Sequence, residues 1–131
     1  MKDVEENSLE KAKELQARTK SFALRIIRMF RSLPKTEEAR ILGRQVLRSG
    51  TSVAANYRAV CRARSKAEFT AKLGVVVEEA DETIFWLELL VKSEIVPEEK
   101  IHSLMNEANE LLAIFAASRH TARRGVKRSD H

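Results

Sequence analysis

Apolar residues recur along this chain at alternating steps of three and four, the spacing that lines up side chains on one face of an α-helix. The first series is Leu15, Thr19, Phe22, Ile26, Met29 and Leu33. The second is Leu42, Val46, Ser49, Val53, Asn56 and Val60, in which Ser49 and Asn56 are small and polar. The third is the most regular: Phe69, Leu73, Val76, Ala80, Thr83, Leu87 and Leu90. The fourth is Ile101, Leu104, Ala108, Leu111, Phe115 and Ser118. A seam of this kind is what a helix turns toward the interior of a bundle.

The punctuation between the series agrees with four helices. Pro34 disfavours helical geometry in the residue before it, so helix 1 is expected over about Ser8 to Ser32. Thr36 can cap helix 2, with Glu37 and Glu38 in the first turn, where negative charge is favourable. Ser65-Lys66-Ala67-Glu68 is a capping box and starts helix 3. Pro97 followed by Glu98 and Glu99 opens helix 4. The short loops predict an all-α, up-down-up-down antiparallel four-helix bundle of helices about 25 residues long. The bundle is expected over 8–118, with 1–7 a flexible N-terminus and 119–131 a basic, disordered tail. Gly43 and Gly50 lie seven apart beside Ala54 and Tyr57, which predicts a close helix contact, and Gly50-Thr51-Ser52 is where a kink would fall.

Helix 3 carries a second apolar set, Val75, Phe85, Trp86 and Leu89, off its seam. Phe85, Trp86 and Leu89 fit either the core of a wide bundle or a subunit interface. Cys61, the single cysteine, is expected to be packed beside Tyr57, and it fits a reducing cytoplasm. The acidic, polar start of the chain does not have the pattern of a signal peptide, and no apolar run is long enough to span a membrane.

Charge changes the picture more than composition does. Residues 39–67 carry seven basic groups and no acid, and 68–118 carry three basic and eleven acidic groups. On a continuous helix, residues 18 apart eclipse one another after five turns. Arg40, Arg44 and Arg48 would then align with Arg58, Arg62 and Lys66 in two cationic clusters about 27 Å apart. Such a face suits the phosphates of RNA or DNA. It equally suits ion pairing with Glu78, Glu79, Asp81, Glu82 and Glu88 of helix 3, within one chain or between neighbours. Both readings stay open on the residues alone.

The sequence offers no catalytic constellation, cofactor motif or metal set. His102, His120 and His131 lie away from the acidic run Glu78–Glu82, and no Glu-x-x-His pair is present. Cys61 has no base placed in sequence to activate it, and Gly43 and Gly50 lack the strand-loop-helix setting of a phosphate loop. We therefore expect a non-enzymatic protein.

QVLRSGTSVAANYR in helix 2 and ARSKAEFTAKLGVVVEEADETIFWLELL in helix 3 resemble the small bacterial four-helix-bundle proteins that include those encoded within intervening sequences of 23S rRNA genes. The resemblance covers about Phe22 to Ser118 and departs from the commonest pattern at Tyr57-Arg58-Ala59. It implies an up-down bundle, often assembled as a homopentameric barrel, and so favours Phe85, Trp86 and Leu89 as an oligomer interface. Relatives serving retroelements as accessory variability determinants bind nucleic acid and a reverse transcriptase. The resemblance therefore implies a nucleic acid, and a reverse transcriptase or other nucleic-acid enzyme, as partners.

Overall fold

A computed structural model of the chain describes residues 2–129. Its elements are α1 (Lys2–Arg31), α2 (Glu37–Val60), α3 (Lys66–Lys92) and α4 (Glu98–Ser129), with no strand among the described residues. Each helix packs against its neighbours in sequence and α1 closes onto α4, while across the diagonal Tyr57 of α2 meets Phe115 of α4 in the core. Arg18 meets Glu107 while Arg25 meets Ser103, so α1 and α4 run antiparallel. The architecture is the predicted four-helix bundle.

The predicted seams form the core. Thr19, Phe22 and Ile26 of α1 are buried with Val46, Ser49 and Val53 of α2, Leu73, Val76 and Leu87 of α3, and Ala108, Leu111 and Phe115 of α4. Leu15, Leu42, Asn56 and Ser118 of the predicted seams are only half-buried, and Phe69 is 37 % exposed. Phe69 sits in the first turn of α3, after α2 has ended at Val60, between a groove lined by α1 and α4 and a cleft bordered by Ala122. The caps form as expected. Thr36 Oγ1 accepts from the Ala39 amide at 3.3 Å, and Ser65 Oγ accepts from the Glu68 amide at 3.0 Å. These bonds satisfy amides that the helices themselves leave unpaired.

Two small residues set the distance between α1 and α2. A Cβ on Gly43 would stand 2.6 Å from Leu33 Cδ1, and one on Gly50 would stand 2.8 Å from Ile26 Cγ1. At Gly50 the branched Ile26 side chain would have to move, whereas at Gly43 the nearest atom is the end of the Leu33 side chain. α2 runs unbroken from Glu37 to Val60 through Gly50-Thr51-Ser52. Thr51 and Ser49 return their hydroxyls to the Leu47 and Val46 carbonyls without opening the helix.

The outer helices are longer than their seams predicted. α1 begins at Lys2 rather than near Ser8, and the segment read as a disordered tail continues α4 to Ser129. Met1, Asp130 and His131 lie outside the described residues. The first extension carries Lys and Glu and the second is rich in Arg and Lys, good helix formers that need no buried stripe to continue a helix already nucleated. Thr121 Oγ1 also donates to the Ala117 carbonyl at 3.1 Å, and the Arg119 guanidinium lies over Gly74 of α3.

Candidate nucleic-acid interface

Helical spacing puts Arg40, Arg44, Arg48 and Arg58 on the solvent side of α2, opposite Val46 and Val53, and all four are exposed. The alignment of six cations on one helix does not hold. α2 ends at Val60, Arg62 lies in the turn, and Lys66 is the first residue of α3. The capping box at Ser65 forces this break, since a residue in extended geometry cannot continue α2.

The structure instead sorts the cations by neighbour. Arg40 and Arg44 share a hollow with Lys35, Glu37 and Ile41. Arg58 and Arg62 share another with Lys20, Gln16 and Thr19 of α1 and Ala54 of α2. Lys20 and Lys35 were not singled out from the sequence. They follow from the antiparallel register that Gly43 and Gly50 impose on α1 and α2, which pairs Leu33 with Gly43 and Ile26 with Gly50.

Arg48 differs from the rest. Its guanidinium bonds Glu79 at 3.3 Å and also holds Glu82, both on α3 of the same chain. Glu82 in turn accepts from Trp86 Nε1 at 3.2 Å. The hydrogen bond to Glu82 raises the Arg48 pKa above its usual value. The Glu82 carboxyl is held below the ordinary range, first by Arg48 and then by the indole. Among the described residues, Arg40, Arg44, Arg58, Arg62 and Lys66 have no acidic partner.

The apolar set on α3 divides. Phe85 is 49 % exposed, whereas Trp86 is half-buried against the core and stacks edge-on with Phe85 at 5.0 Å; Leu89 is also half-buried. Cys61, expected to be packed, is exposed in the α2–α3 turn and borders a groove lined by α1, Tyr57 and Phe69. Partial burial in that groove pushes its thiol pKa up, and Tyr57 opposes the shift. No three metal-ligating side chains converge among the described residues, and no helix there is long and apolar enough to cross a membrane.

No curated protein matches the sequence. A crystal structure of a protein of unknown function from Bacteroides thetaiotaomicron, assigned to the S23 ribosomal protein family, superposes with a TM-score of 0.78 at 33% identity. That alignment covers 84% of this chain and 98% of the other. The model of the 23S rRNA-intervening sequence protein family matches residues 11–117, which is most of the chain and all of its packed bundle. With the four-helix architecture and both similarities in agreement, the chain belongs to the 23S rRNA-intervening sequence protein family.

Proposed function

We propose that this chain is a cytoplasmic, non-enzymatic protein that self-associates and binds the phosphate backbone of RNA or DNA through the basic side of α2 and its following turn. One observation carries the reading: Arg40, Arg44, Arg58 and Arg62 stand exposed without an acidic partner among the described residues. Cations held close together and unneutralised favour a multivalent anion, which binds by releasing its counterions. An enzyme acting on the same nucleic acid, such as a reverse transcriptase, fits as a partner. Phe85, with Trp86 and Leu89 beside it, is the apolar surface we assign to contact between copies, in the pentamer that the resemblance implies. The test is fluorescence anisotropy with labelled RNA and DNA from 50 to 200 mM salt. Affinity should fall steeply over that range, and Arg44→Glu with Arg62→Glu should abolish it. Binding that ignores salt, or none at 50 mM, would remove the nucleic-acid role.

A second reading has its own support. Arg48 already pairs with α3, and Glu78, Asp81 and Glu88 of α3 remain exposed without an ion pair among the described residues. The basic helix would then pair with α3 of a neighbouring subunit in a structural scaffold. In that case the same double reversal dissociates the oligomer in light scattering, and nucleic acid leaves the wild type unchanged.

A further inference from the structure

We propose that the bound nucleic acid is single-stranded and sits at the end of the bundle where the α2–α3 turn meets the last turns of α4, with Phe69 stacking on a base. The proposal rests on the nucleic-acid reading above and says where the strand lies and in what form.

All four helices and the α2–α3 turn bring cations to this end. Lys20 of α1, Arg58 of α2 and Arg62 of the turn surround one hollow. Arg64 and Lys66 border a cleft whose other wall is Ala122 and Gly125 of α4. Arg119, Arg123 and Arg124 project from that same stretch of α4, and Arg119 lies over Gly74, where a Cβ would be 3.5 Å from its guanidinium carbon. These eight groups come from positions as far apart as 20 and 124. None makes an ion pair among the described residues.

Among the described residues, the acids at this end pair with none of them. Glu68 is taken by Lys72 at 3.1 Å and by the Arg64 amide. Glu10 and Glu14 of α1 are exposed but pair with none of the eight. The opposite end of α2 is weaker. There Arg40, Arg44 and Lys35 stand beside Glu37, and Arg48 is already held by Glu79 and Glu82.

Phe69 decides the form of the ligand. It lines the cleft between Arg64, Lys66 and Ala122, and it is exposed although it continues the core seam of α3. An open aromatic ring among unpaired cations is the arrangement that takes unstacked bases along a neutralised backbone. A duplex hides its base faces and would use the cations alone.

The test measures anisotropy of the full chain with labelled single-stranded RNA, single-stranded DNA and the matching duplex. Both single strands should bind at least several-fold tighter than the duplex. Phe69→Leu should weaken single-strand binding about tenfold with an unchanged salt slope, and Phe69→Trp should restore it. Arg64→Gln, Lys66→Gln and Arg123→Gln together should lower the slope of log K against log salt by roughly 2 on a single strand. Arg40→Gln with Arg44→Gln should weaken single-strand binding less than the changes at the turn, because the cations of the turn and of α4 stay in place. If the Arg40 and Arg44 changes cost more than the changes at the turn, or if duplex binds equally and Phe69→Leu has no effect, this placement is overturned while nucleic-acid binding stands. If no wild-type binding occurs at low salt, the underlying reading fails instead.

Discussion

Arg48 of α2 lies 3.3 Å from Glu79 of α3 and also grips Glu82, so one arginine of the basic helix is already committed within its own chain. Its side chain is about half exposed, and solvent screens the pair.

Glu82→Gln should cost less than about 1 kcal/mol of stability at neutral pH, as solvent-screened pairs do. The pH dependence is more informative. The Glu82 carboxyl is held below its usual range by Arg48 and then by Trp86. A carboxylate lowered on folding contributes stability that is fully present above its unfolded-state pKa and is lost as pH falls through the lowered folded-state value. Unfolding free energies measured from pH 7 to pH 3 should therefore fall less steeply for Glu82→Gln than for wild type. Trp86 is the single tryptophan, so its fluorescence should follow the same acid step and lose it in the variant. Parallel stability curves would show that the pair contributes nothing.

The glycines should respond differently to alanine. Alanine gains about 1 kcal/mol of helix propensity over glycine. At Gly50 the new Cβ would press on the branched Ile26 side chain at 2.8 and 3.0 Å, and Ile26 is buried in the core. We expect a net loss of about 1 to 2 kcal/mol there, after the overpacking cost is set against propensity. At Gly74 the nearest group is the Arg119 guanidinium at an ordinary 3.5 Å, so Gly74→Ala should stabilise. Gly43→Ala should fall between, because the closest contact is the end of the Leu33 side chain at 2.6 Å. Urea denaturation orders the three, and a stabilising Gly50→Ala would refute the close-contact role.

The Ser49 and Thr83 hydroxyls are 2.9 Å apart and link α2 to α3 inside the core. Thr83 also reaches the Glu79 carbonyl at 2.7 Å, whereas Ser49 has only the Val46 carbonyl at 3.4 Å besides. Thr83→Val should therefore cost more, about 1 to 2 kcal/mol, than Ser49→Ala, because it strands the more weakly held hydroxyl. The double variant should recover most of the loss. A double-mutant cycle with no coupling would mean that the link adds no stability.

Tyr57 is buried with its ring 5.4 Å from Phe115. Burial, then nearby Cys61, pushes its pKa well above the usual value. An acid whose pKa rises on folding contributes stability that is full below the unfolded-state pKa and is lost as pH climbs toward the folded-state value. Stability should decline on the alkaline side, and Tyr57→Phe should flatten that decline. As the sole tyrosine, Tyr57 should show no phenolate absorbance in the native chain where the unfolded chain already ionises. Native phenolate at that pH would contradict the buried placement.

Most of the bundle was legible before any coordinates. The three-four steps are a property of local helix geometry, so Phe22, Val53, Leu87 and Phe115 could be placed in the core one helix at a time. Thr36 and Ser65 act on amides three residues away, which is also local. The cation face was legible only in part. Reading Arg62 and Lys66 onto α2 ignored the stop that the Ser65 cap imposes. Residues 119–129 lack an apolar period, so their continuation of α4 had no seam to announce it.

The sequence alone thus determined four helices, their turns, their core faces and the concentration of arginine around α2. Tertiary structure decided which arginines are taken and which are open. It set Arg48 against Glu79 and Glu82, gathered Lys20 with Arg58 and Arg62, and brought the α4 extension up to Arg64 and Lys66. It also left Phe69 partly open beside the α2–α3 turn. The physical reason is range. Helix periodicity and capping act within a few residues, whereas the register between helices depends on loop length and on where glycines such as Gly43 and Gly50 let two backbones meet.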